Sequence, residues 1–365
     1  MHLAWSKQEQ MKKLTIIALS LAMAGCTSQP TQNAKTEKTA EPARLNIGLI
    51  NGEKYTSGQG IDIQYSVADG ANADSAVAII GKRKIAFDKG SNQMTIATDG
   101  MKVGQETIRI EAWLANGTRA EGKARITIKS DIVPERLTYK VIKKLPHNNR
   151  YYTQGLEFDG DLLYEGTGLE GHSSVYKIDF AKQSVLNSID LDNKYFGEGI
   201  TIMGDKLYQL TWQSLTGFVY NKNTLNKLQE FSYATEGWGL TNDGKRLIMS
   251  DGSERIYFID TTSLQEIDRI EVYDNEGPVT QLNELEYVDG LIYANIYCTD
   301  NIVAIDPNSG KVLKIIDMRN LLDMSRLTQR VDVLNGIAYQ KSTGNWYVTG
   351  KLWPTLFQVE FVAKK

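Results

Sequence analysis

Beyond Pro134 the chain repeats one strand-rich pattern five times, at intervals of about 40 to 52 residues. Each repeat opens with a polar or aromatic residue, continues into an apolar strand, and passes through a Gly-containing turn into a second and a third strand. Repeats of this length that contain only strands are typical of β-propeller blades. The five openings are Gln154-Gly155-Leu156, Glu198-Gly199-Ile200, Trp238-Gly239-Leu240, Asn283-Glu284-Leu285 and Asn335-Gly336-Ile337.

The fifth repeat reaches only its third strand, near Val359 and Glu360. The segment 137–144 (LTYKVIKK) precedes the first repeat and is free to serve as the missing outer strand. Such a pairing would close the ring and leave no open sheet edge. We therefore predict an all-β fold in which residues 134–365 form a five-bladed β-propeller.

The preceding residues carry a different strand pattern. Apolar and polar residues alternate over segments 61–67 and 108–114, which is the period of half-buried strands. Asn116-Gly117 follows the second segment and is typical of a hairpin turn. We predict a small immunoglobulin-like β-sandwich over residues 44–133, which serves as a spacer or docking module.

The N-terminal residues have the pattern of a targeting signal. Lys12 and Lys13 precede an apolar run that ends at Ala24, directly before Gly25-Cys26. This is typical of an export signal, and the run is too short to span a membrane. The setting of the cysteine resembles the bacterial lipoprotein box, which predicts a signal over residues 1–26 and a lipid on Cys26. A plain secretory signal with an incidental cysteine is the alternative.

Residues 27–43 are polar and predict a disordered tether. Together these features predict an exported protein, lipid-anchored in the bacterial cell envelope, in the periplasm or at the outer membrane. Translation from Met1 and from Met11 are both compatible with this signal. We expect a monomer.

Composition excludes several other classes of protein. A net charge of −3 offers no basic field for nucleic acid, and two cysteines form no disulfide framework. Three scattered histidines do not suit a His-rich zinc site. We expect no catalytic metal and no cofactor, while a carboxylate site for a structural cation such as calcium stays open.

Propeller geometry brings distant residues of the repeats to one place. The first strand of each blade lines the axis, so the residues that open the repeats should meet at one mouth of the channel. The second strand is antiparallel, so its end returns to the same mouth. A concave site with few polar groups and aromatic walls is the expected result. Its members are Gln154, Glu198, Trp238, Asn283 and Asn335 from first strands, and Trp212, Tyr297 and Lys351 from the ends of second strands.

Eight short motifs follow one another in order across residues 136–363. They are YTQGL (152–156), YFGEGI (195–200), KLYQLTW (206–212), GWGL (237–240), SDG (250–252), LNELEY (282–287), DVLNGIAY (332–339) and VTGKLWP (348–354). In these motifs the chain resembles the plant-type glutaminyl cyclases (glutaminyl-peptide cyclotransferases) and their bacterial relatives. Residues 1–135 lie outside the resemblance, apart from the export signal.

The resemblance implies an enzyme that cyclises the N-terminal glutamine of peptides or proteins to pyroglutamate and releases ammonia. It also implies a five-bladed propeller with its pocket at the channel mouth. The implied site contains one residue that acts as both acid and base, three aromatic residues that form its walls, and three polar residues. By resemblance these are Glu198 as acid/base, Phe196, Trp212 and Trp238 as walls, and Gln154, Asn283 and Lys351 as polar residues.

Tyr297 stands where plant members of the family have tryptophan, which puts one wall of the pocket in doubt. We expect a mechanism without metal, in which one carboxyl group carries out both proton transfers and Asn283 or Lys351 stabilises the oxyanion. Because propellers host many functions, the fold alone does not decide the activity. One alternative is a non-catalytic envelope propeller that binds peptide or polysaccharide and scaffolds partners. Another is a lactone hydrolase or quinoprotein dehydrogenase on the same scaffold.

Overall fold

The computed structural model describes residues 43–50, 52–68 and 70–364. These residues form β-strands joined by turns, with one short 3-10 helix at Met324–Arg326, so the fold is all-β. The predicted export signal, Cys26 and nearly all of the predicted tether lie outside the described residues. The last tether residue, Ala43, already belongs to the first strand. Within the described ranges no helix is long and apolar enough to cross a membrane.

The strands before residue 130 form one sheet. They are β1 (Ala43–Leu49), β2 (Lys54–Thr56), β3 (Gly60–Val67), β4 (Ala73–Ile80), β5 (Arg83–Ala86), β6 (Gln93–Ala97), β7 (Gly104–Leu114) and β8 (Arg119–Lys129). Their order is β5-β4-β7-β8-β1-β3-β6, with β2 also paired to β8. All pairs are antiparallel except β1 and β2 on β8, which are parallel.

Alternation sets which face of this sheet is buried. In β3 and β7 every second residue is apolar, and Ile61, Ile63 and Ile110 are completely buried. The turn between β7 and β8 contains Asn116 and Gly117, and the glycine has a φ of 78°. The Asn116 side chain accepts a hydrogen bond from the backbone two residues on, at 2.9 Å. The predicted strands and hairpin turn are confirmed here.

The remaining strands form three four-stranded sheets and one eight-stranded sheet around a common axis. They are β9 (Glu135–Pro146), β10 (Thr153–Asp159), β11 (Leu162–Thr167), β12 (Ser174–Asp179), β13 (Ser184–Asp190), β14 (Gly197–Met203), β15 (Lys206–Thr211), β16 (Thr216–Asn221), β17 (Lys227–Ser232), β18 (Leu240–Asn242), β19 (Arg246–Ser250), β20 (Arg255–Asp260), β21 (Glu266–Glu271), β22 (Leu282–Val288), β23 (Leu291–Ile296), β24 (Asn301–Ile305), β25 (Val312–Asp317), β26 (Leu334–Gln340), β27 (Asn345–Gly350) and β28 (Thr355–Ala363). Strands β10 to β13, β14 to β17 and β18 to β21 form three four-stranded sheets. Strands β22 to β25 continue through β9 into β28, β27 and β26.

The first strands of these groups touch one another in a closed cycle. Strand β10 contacts β14, β14 contacts β18, β18 contacts β22, β22 contacts β26, and β26 contacts β10. The strands are close because glycines stand at the contact points: the Gly199 amide donates to the Trp238 carbonyl at 2.7 Å. A Cβ atom at Gly239 would clash with the carbonyl oxygen of Asn283. This cycle makes the fold β-propeller-like.

Strand β9 closes the cycle. It pairs antiparallel with β28 from Leu137 opposite Ala363 to Pro146 opposite Thr355. The pairing predicted between the segment 137–144 and the end of the chain is therefore confirmed. Strand β9 also makes a short parallel contact with β25, which is why two sheets are continuous.

The first sheet is attached to the ring of sheets through polar contacts. The Lys102 ammonium forms an ion pair with Asp268 at 2.7 Å. One residue after the start of β7, the amide of Gln105 donates to the carboxylate of Glu271 at 2.8 Å. Both acidic residues lie in β21, so this strand contributes to the attachment.

We expect Gly239→Ala to lower the free energy of unfolding by about 1–3 kcal/mol, because the new methyl group has no space beside the Asn283 carbonyl. Gly277→Ala is the matched control, since a Cβ atom there meets nothing within 4 Å. Thermal and denaturant unfolding of both variants measure the effect. Equal stability of the two variants would contradict the close contact of the inner strands.

Candidate active site

Three of the predicted polar residues lie at irregular points of the inner strands. Gln154, Glu198 and Asn283 occupy the positions in β10, β14 and β22 where the pairing register with the neighbouring strand shifts. Such β-bulges re-aim side chains and are common beside active sites. Here they direct the three side chains into one cavity at the end of the axis.

The ends of the second strands arrive at the same cavity. Trp212 follows β15, Tyr297 follows β23 and Lys351 follows β27, each as the next residue after the strand. Because these strands run antiparallel to the first strands, their ends return to the mouth from which the first strands start. The position predicted for these three residues is the observed one.

The cavity has a volume of about 200 Å³. It brings together eight of the nine residues predicted for the mouth and its walls, all except Asn335, and one more, Tyr152. The predicted eight are Gln154, Phe196, Glu198, Trp212, Trp238, Asn283, Tyr297 and Lys351.

Glu198 is a buried carboxyl group with one side-chain hydrogen bond. Its side chain accepts from the Gln154 amide at 3.1 Å, and the residue is only 5% exposed. Burial raises the pKa of Glu198 well above its usual value, while the charge of Lys351 lowers it and that of Glu236 raises it further. A carboxyl group with a raised pKa can take up and return a proton near neutral pH more readily than an ordinary glutamate.

Lys351 presents a buried ammonium group between two aromatic rings. Its Nζ lies 4.9 Å from the ring centre of Tyr152 and 5.0 Å from that of Tyr297. Burial lowers the pKa of Lys351, whereas the negative charge of Glu198 opposes that shift. In the part of the chain that the structure describes, no carboxylate lies within ion-pair distance of this ammonium.

The two asparagines have different positions. Asn283 lines the cavity, and its side-chain Oδ1 is buried without a hydrogen-bond partner among the described residues. Asn335, expected at the mouth, lies beside the cavity instead and is fully buried. Its amide donates to the Gln154 side chain at 3.2 Å and to the Thr153 carbonyl at 3.0 Å. Asn335 therefore supports Gln154, while the Asn283 side chain lines the cavity, where a ligand can reach it.

A carboxylate that sequence reasoning missed holds two aromatic walls. One oxygen of Glu236 accepts from the indole of Trp212 at 2.8 Å and from that of Trp238 at 3.0 Å. Although burial raises the pKa of Glu236, its hydrogen bonds from Trp238, Gln213 and Trp212 lower it overall, so the carboxylate form is favoured. Its position directly before the GWGL motif was the available signal.

The aromatic rings that form the walls of the cavity pack edge to face. Phe196 lies against Trp212 with ring centres 5.6 Å apart, and Trp238 lies against Tyr297 at 5.5 Å. Tyr152, two residues before Gln154, contacts Phe196 and was not singled out from the sequence. Edge-to-face packing is a preferred geometry for aromatic pairs and keeps the walls rigid.

No three His, Cys, Asp or Glu side chains among residues 43–50, 52–68 and 70–364 are grouped so that they could hold a metal ion. The cavity instead combines one carboxyl group, one ammonium group, two amides and aromatic walls. Taken with the fold, these groups define a β-propeller-like protein whose pocket is suited to acid/base chemistry on a small polar substrate.

Comparison with known proteins identifies the family. Residues 112–361 match the family model described as glutamine cyclotransferase. The chain is 40% identical over 229 residues to the glutaminyl-peptide cyclotransferase of Arabidopsis thaliana, covering 60% of this chain and 70% of the plant protein. The crystal structure of Myxococcus xanthus glutaminyl cyclase superposes with a TM-score of 0.60 and 31% identity, covering 64% of this chain and all of that one.

The chain belongs to the glutamine cyclotransferase family. The resemblance recognised in the motifs is thus confirmed. The family match begins at residue 112, within β7, and so starts earlier than the motifs alone indicated.

We expect Glu236→Ala to raise KM by about two- to tenfold, because both indoles lose the acceptor that orients them. The indole fluorescence should shift as well. Gln213→Ala is the matched control, since Gln213 donates to the same carboxylate but is not part of the cavity wall. An unchanged KM in Glu236→Ala would rule out that Glu236 holds the two indoles in place.

Proposed function

We propose that this protein is a glutaminyl-peptide cyclotransferase that converts N-terminal glutamine of peptides or proteins to pyroglutamate. The observation that carries the proposal is the buried carboxyl group of Glu198, which shares a cavity of about 200 Å³ with Lys351 and Asn283. This volume is below the usual range for drug-sized ligands, about 300–1,000 Å³, and suits one terminal residue.

The reaction joins two groups of the same residue. The α-amine nitrogen attacks the carbon of the γ-carboxamide, the new C–N bond closes a five-membered ring, and the old C–N bond breaks to release ammonia. Since both reacting groups belong to one side chain, much of the entropy cost of bringing them together is already met. The protein has to move a proton from the attacking nitrogen to the leaving nitrogen.

Glu198 is suited to both proton transfers. We assign it the removal of the proton from the attacking amine and its delivery to the departing ammonia, so no metal ion or cofactor is required. Burial supports this role because it raises the pKa of Glu198 well above its usual value. The hydrogen bond from Gln154 holds the carboxyl group in one orientation.

Asn283 and Lys351 are the proposed donors to the oxyanion. Both line the cavity, and no carboxylate among the described residues binds the ammonium as an ion pair. The aromatic groups Phe196, Trp212 and Trp238 exclude water, and their faces attract the cationic amine before it is deprotonated. We assign Gln154 and Tyr297 to substrate binding as well.

We propose a five-bladed propeller over residues 134–365 and an immunoglobulin-like sandwich over residues 44–133. The cycle of inner strands and the closing strand β9 support the first assignment. The burial of alternate residues in β3 and β7 supports the second.

We also propose an exported protein that is held at a bacterial envelope membrane by a lipid on Cys26, in the periplasm or at the outer membrane. The basic and apolar pattern before Cys26 supports this location. A polar tether over residues 27–42 would separate the lipid from the folded part, which begins with Ala43 in β1. The partners are peptides or proteins with N-terminal glutamine and not nucleic acid, and the protein acts as a monomer. A structural cation such as calcium is compatible with this proposal.

Glu198→Gln should lower kcat by about 10²–10⁴, since the amide keeps the shape of the carboxyl group but cannot exchange the proton. Ammonia release from a Gln-initiated peptide, with mass spectrometry for loss of one ammonia, measures the effect on folded protein. Glu170→Gln neutralises an exposed glutamate outside the cavity and serves as the control. Wild-type activity in Glu198→Gln would exclude Glu198 as the acid/base.

Tyr297→Trp should lower KM by about two- to fivefold and leave kcat nearly unchanged, because an indole attracts a cation more strongly than a phenol does. The steady-state constants of the two proteins test this. Tyr297 faces Trp238 edge to face, so the larger ring also extends an existing wall. If KM did not change, Tyr297 would have no role as a wall of the pocket.

A further inference from the structure

A buried pair of ionisable residues, His147 and Glu165, lies outside the set of residues that line the pocket. His147 follows β9, Glu165 lies in β11, and their side chains are 5% and 0% exposed. Nε2 of His147 is 3.0 Å from Oε1 of Glu165, and Nδ1 is 2.6 Å from the carbonyl oxygen of Trp353. Both ring nitrogens thus face hydrogen-bond acceptors.

This geometry determines the protonation of the ring. A neutral imidazole has one N–H, whereas an imidazolium has two. Two acceptors on opposite sides are both satisfied only by the imidazolium. Burial by itself lowers the pKa of His147, but the charge and hydrogen bond of Glu165 and the Trp353 carbonyl together raise it. His147 and Glu165 therefore form a buried ion pair.

On one side the pair connects to Glu198. Thr153 donates its hydroxyl hydrogen to Glu165 at 2.7 Å. The next residue along β10 is Gln154, whose amide donates to Glu198 at 3.1 Å. Asn335 joins these neighbours, because its amide donates both to the Thr153 carbonyl and to the Gln154 side chain.

On the other side the pair connects to Lys351. Trp353 lies two residues after Lys351, and its indole donates to the Asp332 carbonyl at 2.8 Å. The Asp332 amide in turn donates to the Lys351 carbonyl at 2.9 Å. Leu352, between them, has a φ of 62°, which is unfavourable for leucine and has to be held by its surroundings.

We propose that His147 is a positioning residue, whose imidazolium, held between Glu165 and the Trp353 carbonyl, fixes the spacing between Glu198 and Lys351. It touches neither the cavity nor the substrate and acts through the two hydrogen-bond chains. The inference rests on the proposed function, because the spacing matters only if these two groups act on the same reacting centre.

If His147 is lost, we expect kcat to fall more than the affinity for substrate. The aromatic walls Trp212 and Trp238 are held by Glu236, not by the His147 pair. Loss of His147 should therefore leave the walls in place while it loosens the proton-transfer and oxyanion groups. A shift of about 1 Å in such a group can cost about 10²-fold in rate.

The test is His147→Ala with added imidazole. A separate cavity of about 310 Å³ is lined by His147 and Glu165, so free imidazole can enter and replace the lost ring. We expect kcat to fall by about tenfold or more with KM within about twofold of wild type, and imidazole to restore kcat. Wild-type kcat in folded His147→Ala would overturn the proposal.

Leu163→Ala is the matched control for lost stability. Leu163 lines the same cavity and is buried, but its side chain has no part in the hydrogen-bond chains. We expect it to lower the melting temperature, to keep kcat, and to show no response to imidazole. The same loss of kcat in Leu163→Ala would overturn the positioning role.

Thr153→Val provides a second variant if His147→Ala does not fold. It keeps the shape of the side chain and removes only the link to Glu165. A lowered kcat with unchanged KM supports the proposal, and an unchanged kcat overturns it. Wild-type protein is assayed alongside: absence of ammonia release from it would overturn the proposed function itself, whereas an active wild type with unimpaired variants overturns only the role of His147.

Discussion

The close contact of the inner strands is the constraint on which the rest of the structure depends. Gly199 and Gly239 allow backbones to meet where any side chain would collide, and Gly199 donates directly to the next strand. The fourth repeat has Glu284 in the equivalent place. Its carboxyl group accepts from the amides of Ile337 at 2.8 Å and Leu156 at 3.3 Å. Glycine and glutamate thus both join neighbouring strands, the first by absence of a side chain and the second by hydrogen bonding.

Burial of ionisable groups follows from the same geometry. A closely packed interior excludes water, so carboxyl groups buried in it either find partners or favour the neutral form. Glu165 has His147 and Thr153, whereas Glu284 has backbone amides and a pKa raised well above the usual value by burial. Glu198 has one amide bond and a nearby ammonium group, which leaves it the least satisfied of the three. Of these three carboxyl groups, the one with the fewest partners is the one to which the chemistry is assigned.

Repeats allowed most of this structure to be predicted, because a residue's place within its repeat determines its height along the axis. Gln154, Glu198 and Asn283 were found in this way, and so was the closing strand. Contacts made outside the repeat pattern were not predictable. Glu236 occupies the place in its repeat that Tyr152 and Phe196 have in theirs, but its bonds to two indoles are side-chain contacts that the repeat register does not contain. His147 precedes the first repeat, so it has no equivalents whose alignment would reveal it. The position of Asn335 beside the cavity depends on side-chain packing, which the repeat register does not contain.

The pairing of β9 with β28 has a consequence for how the chain acquires its structure. Leu137 and Ala363 are partners, yet almost the whole ring separates them in sequence. Contacts between such distant segments form late, because the entropy of closing the intervening loop has to be overcome first. Until the last strand has been synthesised, the ring is an incomplete stack with an exposed and association-prone edge. Lys351 lies in that final segment, so the pocket gains its ammonium group only as the ring closes.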